Sequence, residues 1–329
     1  MENLIENFSA HIQEAIIIGE KATLSQKERQ FKNVLITGMG GSGIGGAIAS
    51  EIASIESPIP FSISKGYSVP QFVNTETLVI VSSYSGGTEE TISAMKKAQE
   101  KGAKIVCITS GGEIEKIAKE NNIDHIIIPG GMPPRAALGY SLVQMFFIFN
   151  YFGLIKDSFK DELLAGVSML NTEKENIKQE AKKIAEKLYG TLPVIYAPYG
   201  SEGVAVRFKQ QLNENAKMLC WYGVVPEMNH NELVGWAGGN EHIAVIIFRN
   251  QSDYLRISKR IDISKEVISK YTPNITEIYS KGNSLIERAL YHIHLGDFIS
   301  LYLANMKEVD VTDIKVIEYL KASLAEIKD

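Results

Sequence analysis

Four groups of residues have types and spacings that suit chemistry. Ser82, Ser83, Ser85 and Thr88 place four hydroxyls within seven residues, beside Gly86 and Gly87. Hydroxyls joined by the backbone N–H groups of residues 85–89 at a helix start form a neutral phosphate cradle. A helix cap would also use Thr88, with Thr91 nearby, but it needs fewer hydroxyls. No GxxxxGK[ST] run occurs, so no nucleotide-type lysine serves this loop. Arg135 follows Pro133 and Pro134, whose fixed φ holds the chain extended and the guanidinium in place. Such an arginine binds phosphate, stabilises an oxyanion or pairs with a surface acid, and the segment alone does not choose. Glu214 stands between Asn213 and Asn215 after a helix-like stretch. That setting suits a general base, although an ordinary exposed glutamate is the simpler account of the motif by itself. His230, in the polar run Glu227-Met-Asn-His-Asn-Glu232, can exchange protons near neutral pH.

Other histidines point away from metal chemistry. No HxxxH or HExxH occurs, and His292-x-His294 lies in a helical stretch where i and i+2 do not share a face. The expectation is two structural histidines and no protein-bound metal.

The elements that must position these groups start from Asn33-Val-Leu-Ile-Thr-Gly-Met-Gly-Gly-Ser-Gly-Ile-Gly-Gly46. A short apolar strand runs into a burst of glycines, and residues 47–53 read as a helix. Glycines allow a sharp turn and close approach of a ligand, and the helix N-terminus offers N–H groups to an anion. Gly38-x-Gly40-x-x-Gly43 fits the dinucleotide fingerprint, but that motif needs an acid closing the second strand. Here the second strand, 61–64, ends in Lys65, and Glu56 precedes it. A sugar-phosphate loop is the competing reading. No cofactor is expected.

Helical spacing of Ile5, Phe8, Ile12 and Ile16 predicts an N-terminal helix to about residue 29. Strands are predicted at 77–82, 104–109 and 125–128, with helices at 91–101 and 113–121 between them. Residues 157–188 read as a long polar connector helix. Residues 192–205 then echo the opening unit, with strands at 242–248 and 275–280 and helices at 257–270, 285–305 and 313–327. The alternation predicts an α/β protein with two doubly wound parallel sheets in tandem, divided as residues 1–156 and 157–329.

Composition excludes several classes. The chain has 329 residues, 45% hydrophobic and 22% charged, with a net charge of -5. That charge argues against nucleic acid as the main partner. Two cysteines, Cys107 and Cys220, are too few for a disulfide framework and suit a reducing cytoplasm. The first seven residues carry acids where a secretion signal carries bases. The apolar stretch 138–155 contains Gln144, Asn150 and Gly153 and reads as a buried core helix rather than a membrane span.

Taken together, Gly38-Met-Gly-Gly-Ser-Gly43, Ser83-Tyr-Ser-Gly-Gly-Thr88, Pro133-Pro-Arg-Ala-Ala-Leu138, Leu212-Asn-Glu-Asn215 and Asn229-His-Asn-Glu-Leu-Val-Gly-Trp236 fit aldose–ketose isomerisation of a sugar phosphate. In that order the chain resembles the bifunctional phosphoglucose/phosphomannose isomerases, built from two sugar isomerase (SIS) domains. The resemblance covers nearly the whole chain. It implies that Gly40, Gly41 and Ser42 meet the sugar and that Ser83, Ser85 and Thr88 hold its phosphate. It implies that Arg135 stabilises an enediolate and that Glu214 shuttles the C1–C2 proton. His230 would assist ring opening from the partner subunit of a homodimer. Lys321, with Lys315 as the neighbouring candidate, would assist the same step, and Thr312 would bear on mannose activity. One departure is visible. The family's phosphate loop reads Ser-Gly-Asn-Thr, and Gly87 replaces its asparagine.

Three other classes compete. A SIS-type sensor would keep the serine loop without needing a base. An amidotransferase would need an ammonia-supplying domain, and no cysteine lies near residue 1. A dinucleotide oxidoreductase lacks its acid.

Overall fold

A parallel strand buried on both faces needs a crossover to bring the chain back, and helices supply it here. The computed structural model describes residues 1–25 and 29–327. Two helices open the chain, α1 (Glu2–Glu6) and α2 (Phe8–Lys21). The first unit is β1 (Asn33–Thr37), α3 (Gly40–Ala53), β2 (Phe61–Ser64), β3 (Thr77–Ser83), α4 (Glu89–Glu100), β4 (Lys104–Thr109), α5 (Gly112–Glu120), β5 (Asp124–Ile127) and α6 (Leu138–Tyr151). The long helix α7 (Phe159–Leu188) connects it to the second. That unit is β6 (Leu192–Pro198), α8 (Glu202–Glu214), β7 (Trp221–Val225), α9 (Glu232–Gly235), β8 (Ile243–Arg249), α10 (Leu255–Ile268), β9 (Ile275–Tyr279), α11 (Leu285–Met306) and α12 (Lys315–Ala325).

The strand orders are β2-β1-β3-β4-β5 and β7-β6-β8-β9. Every pairing is parallel. In each sheet the connection from β1 or β6 leaves to one side and that from its neighbour β3 or β8 to the other, which opens a crevice at their carboxyl ends.

The two sheets share one core. Val34, Ile36, Leu78, Ile80, Val106 and Ile108 face it from the first sheet, and Ile195, Ala244, Ile246 and Phe248 from the second. The alternate positions Leu35, Val79, Val81 and Cys107, and likewise Val194, Tyr196, Val245 and Ile247, face separate outer cores. α6 lies in the shared core, with Leu142, Met145, Phe146 and Phe149 almost fully buried. Each such side chain contributes about 1.5–3 kcal/mol relative to exposure. The apolar run at 138–155 is therefore a core segment, helical from Leu138 to Tyr151. Among the described residues no helix is long and apolar enough to cross a membrane.

Three local expectations change. The N-terminal helix is divided at Asn7 and stops at Lys21, where Ala22 turns extended. Residues 26–28 of the expected helix lie outside the described residues. The glycines after β1 do not form a separate turn, since α3 begins at Gly40 and runs through them. β7 has no counterpart in the sequence reading. It is an edge strand with Gly223 at its centre, where a Cβ would stand 2.9 Å from the Tyr196 ring and 3.1 Å from the Glu232 carboxylate.

Candidate functional site

Where β1 ends, the chain must turn into α3 beneath its neighbours. A Cβ at Gly38 would stand 2.6 Å from the Ser82 carbonyl, and one at Gly43 2.4 Å from the Gly38 carbonyl. Gly40 has φ +52, a conformation that costs glycine nothing. The N-cap of α3, Met39, makes no side-chain cap bond, so the first-turn N–H groups are open to an anion. At Gly41 the neighbour is the turn that carries the arginine. A Cβ there would stand 2.9 Å from the Pro134 carbonyl and 3.4 Å from Arg135 Cα.

Ser42 joins α3 to the hydroxyl loop, because its Oγ accepts a hydrogen bond from the Tyr84 N–H at 2.9 Å. In that loop Ser83 Oγ and Thr88 Oγ1 lie 2.9 Å apart. Thr88 is the N-cap of α4 but makes no cap bond with its side chain, so the capping account of this threonine does not hold. Ser85 is exposed at the loop tip. The sharp bend falls on Gly86, with φ +65 and a hypothetical Cβ 1.7 Å from the Gly111 carbonyl.

Arg135, only 3% exposed, ties this first-unit surface to the second unit. Its Nε donates to Asn215 Oδ1 at 2.8 Å. Its Nη1 lies 3.4 Å from Glu214 Oε2, and its Nη2 donates to the Val311 carbonyl. Asn215 in turn donates to Ser300 Oγ at 2.9 Å. Burial pulls the Arg135 guanidinium below its ordinary range, opposed by Glu214. The backbone carbonyl of Arg135 accepts from Arg207 Nη2 at 2.7 Å. Asp297 holds that same nitrogen at 3.0 Å through both oxygens, and Gln211 donates to Asp297 at 2.7 Å. Burial pushes the Asp297 carboxyl up, against the pull of Arg207. Removing one partner of such a buried pair costs about 3–5 kcal/mol, so Arg135 rests on a stiff base.

Glu214 is the last residue of α8, and its side chain is 30% exposed. It can therefore reach a ligand while facing a fixed cation. A turn after α11 covers the pair. In it, Thr312 donates from N–H and Oγ1 to Asp310 Oδ1 at 2.8 and 2.7 Å. Lys217 Nζ donates to the Glu214 carbonyl, and to the Asp313 carbonyl at 2.9 Å.

One run of contacts thus brings together Gly40, Gly41, Ser42, Ser83, Ser85, Thr88, Arg135, Glu214 and the turn bearing Thr312. Two expected residues stand apart. His230 ends a 3-10 turn (Glu227–His230) and is exposed. Lys321 lies on α12, none of whose residues is buried, and Lys315 reaches only Asp313, at 3.8 Å. Among the described residues no three His, Cys, Asp or Glu side chains converge to hold a metal ion.

The sequence reading assigns no role to Asn215, Lys217, Arg207 or Asp297. A signal existed for two of them. Arg207, Gln211 and Glu214–Asn215 recur at helical spacing on α8, a polar stripe on a helix that also buries Phe208 and Leu212. The arrangement can hold an anion on hydroxyls and helix N-termini, move a proton with a carboxylate, and stabilise an oxyanion with a buried guanidinium.

Residues 29–154 match the family model described as SIS domain. Residues 177–324 match the one described as bacterial phospho-glucose isomerase C-terminal SIS domain. A protein of Caldicellulosiruptor bescii named bifunctional phosphoglucose/phosphomannose isomerase is 40% identical over 337 residues, covering 99% of each chain. One of the same name from Aquifex aeolicus is 36% identical over 298 residues, covering 89% of this chain and 91% of its own. Among solved structures, the C-terminal domain of glucosamine-fructose-6-phosphate aminotransferase from Francisella tularensis superposes with a TM-score of 0.77 at 15% identity. That match covers 93% of this chain and 96% of the other and shows a likeness of fold.

Proposed function

The chain belongs to the bifunctional phosphoglucose/phosphomannose isomerase family, with two SIS domains in tandem, and from that premise we propose that it interconverts glucose 6-phosphate, mannose 6-phosphate and fructose 6-phosphate. The observation that carries the reading is the Arg135–Glu214 pair, 3.4 Å apart, joined through α3 to the hydroxyl loop.

In this reading the phosphate sits on Ser83, Ser85, Thr88 and the first turn of α4, and the sugar lies against Gly40, Gly41 and Ser42. The Glu214 carboxylate takes the proton from C2 of the open aldose. The C–H electron pair forms the C1–C2 double bond of an enediol, and Arg135 stabilises negative charge on its oxygens. The proton returns to C1 while the O2 hydroxyl proton passes to O1, leaving a hydroxyl at C1 and the carbonyl at C2. His230, brought by the second copy of a homodimer, and Lys321, with Lys315 as the alternative, open the ring. The step uses no cofactor and no metal.

The division at residues 1–156 and 157–329 is part of the proposal. The two sheets fall on either side of it. So is a cytoplasmic location, which the two unpaired, buried cysteines suit. A sugar-phosphate regulator would need the hydroxyl loop but not the carboxylate beside the arginine.

The test is turnover of fructose 6-phosphate in EDTA, with both aldose phosphates quantified. Both products are expected. Binding of the sugar phosphates by calorimetry, with neither aldose formed, would move the reading to a regulator.

A further inference from the structure

Three non-glycine residues have left-handed backbone among the described residues: Asn122, Lys217 and Glu308. Two of them sit at ordinary helix stops. Asn122 follows α5, and the next N–H, of Ile123, returns to the Ala118 carbonyl at 2.8 Å. Glu308 follows α11, and the Val309 N–H returns to the Ala304 carbonyl at 3.1 Å. Lys217 is different. The return bond after it runs from the Met218 N–H to the Leu212 carbonyl at 3.1 Å, one residue further back than in the other two. A lysine is thus held at φ +52 in a wider return than the other two helix stops make.

That conformation turns the side chain back over the helix end it has just left. Lys217 is solvent-accessible, yet its ammonium is spent on two backbone carbonyls, of Glu214 and of Asp313. The Lys217 carbonyl is also held, by Lys307 Nζ at 3.1 Å. Arg135 binds the same turn through Val311, two residues before Asp313. The turn leading to α12 is therefore gripped by two cations, one of which also grips the backbone of Glu214. Desolvation of the Lys217 ammonium against that turn, then the neighbouring Arg135 charge, disfavour its charged form. Strained backbone persists where the surroundings demand it, and a strained residue beside a reacting group is grounds for a functional role.

We infer that Lys217 is a positioning residue that fixes Glu214 relative to Arg135 and to the Asp310–Asp313 turn. It acts through backbone carbonyls and does not touch the substrate. The inference rests on the proposal that Glu214 is the base.

Lys217→Gly suits the left-handed conformation, so it removes the ammonium without straining the backbone. Lys217→Asn, which also tolerates that conformation, is read in its place if the glycine variant does not fold. With fructose 6-phosphate, kcat falls by about tenfold or more, the scale on which small misplacements of a catalytic group act. KM changes by less than about threefold, since ground-state contacts are untouched. Lys217→Arg keeps the cation and recovers most of kcat. A kcat within about twofold of the parent in the neutral variant overturns the inference, as does an equal loss in Lys217→Arg. Glu214→Gln in the same assay separates the two readings. Turnover by that variant removes the base assignment itself, whereas an inactive Glu214→Gln beside a fully active Lys217→Gly removes only the role of Lys217.

Discussion

Gly87, where the pattern the chain resembles has asparagine, does not carry the bend of the proposed phosphate loop. No positive φ is found there, and a Cβ built on it meets nothing within 4 Å. The bend belongs to Gly86. Gly87→Asn should therefore fold with equal or slightly greater stability, since a side chain restricts the unfolded chain by about 0.4–1 kcal/mol. Its kcat should match the parent and its KM for fructose 6-phosphate should be equal or lower. A KM raised more than about tenfold would mean that the open space above Gly87 is needed by the substrate. The same loop marks what single residues reveal. Hydroxyls and glycines suggest a phosphate cradle from sequence alone because their chemistry is local. Arg135 and Glu214 are each ambiguous alone, because their pairing exists only once α8 packs beside the Pro134–Ala136 turn. Lys217 gives no sign at all, since its role depends on a left-handed backbone and on carbonyls as far away as Asp313.

At the scale of elements, α3 and α8 lie side by side in opposite directions. The start of α3 meets the Pro134–Ala136 turn, whose Arg135 pairs with Glu214 at the end of α8, and the start of α8 meets the second half of α3. At that far end the Gly203 N–H donates to both Glu51 oxygens, at 2.9 and 3.1 Å. Gly203 permits the approach, since a Cβ there would stand 2.8 Å from the Ile48 side chain. Burial, opposed by that backbone bond and helped by Glu202, pushes the Glu51 carboxyl up to about 7. The folded state thus favours the proton more than the unfolded state does. The stability this lends is complete below the unfolded value of 4.5 and is lost as pH rises to about 7. The loss is at most about 3 kcal/mol, from 1.36 kcal/mol per unit. Glu51→Gln keeps an acceptor and removes the ionisation. It should melt a few degrees above the parent at pH 8 and close to it at pH 5. The same difference at both pH values would sink the assignment. His292 and His294 act in the opposite sense. Burial lowers them to about 4 and 3, so stability falls as pH drops below their unfolded value of 6.5. Most strands and helices were legible as apolar runs and periodic stripes. β7 was not, because an edge strand with a glycine at its centre has neither pattern. Nor was the start of α3, since glycine propensity argues for a turn and only the packing against Pro134, Gly38 and Ile36 makes a helix of it.

At the scale of the whole molecule, one chain holds the carboxylate and the guanidinium but leaves His230 outside their cluster. The histidine loop is also unsuited to swinging inward. Glu232 Oε1 accepts from Tyr196 Oη at 2.6 Å and from Trp221 Nε1 at 2.8 Å, and Trp236 Nε1 donates to Tyr196 Oη at 2.8 Å. Asn229 is held to Ser264 at 2.7 Å. A fixed, exposed histidine can complete a site only if the site comes to it, which a second copy of the chain would do. α12 supports the same reading. It is 11 residues long and buries none of them, and Val316, Tyr319 and Leu320 are 82%, 75% and 57% exposed. Helices of that length are marginal in water unless an apolar face is covered. In the homodimer we propose, each site takes Glu214 from one copy and His230 from the other. Glu214→Gln and His230→Ala homodimers should then both be inactive. Mixed in equal amounts and allowed to exchange, half of the dimers are heterodimers, each with one intact and one doubly defective site. Activity should return to about a quarter of the parent value. With both homodimers inactive, subunit exchange verified by native mass spectrometry but no activity returned would place His230 in the same chain as its Glu214.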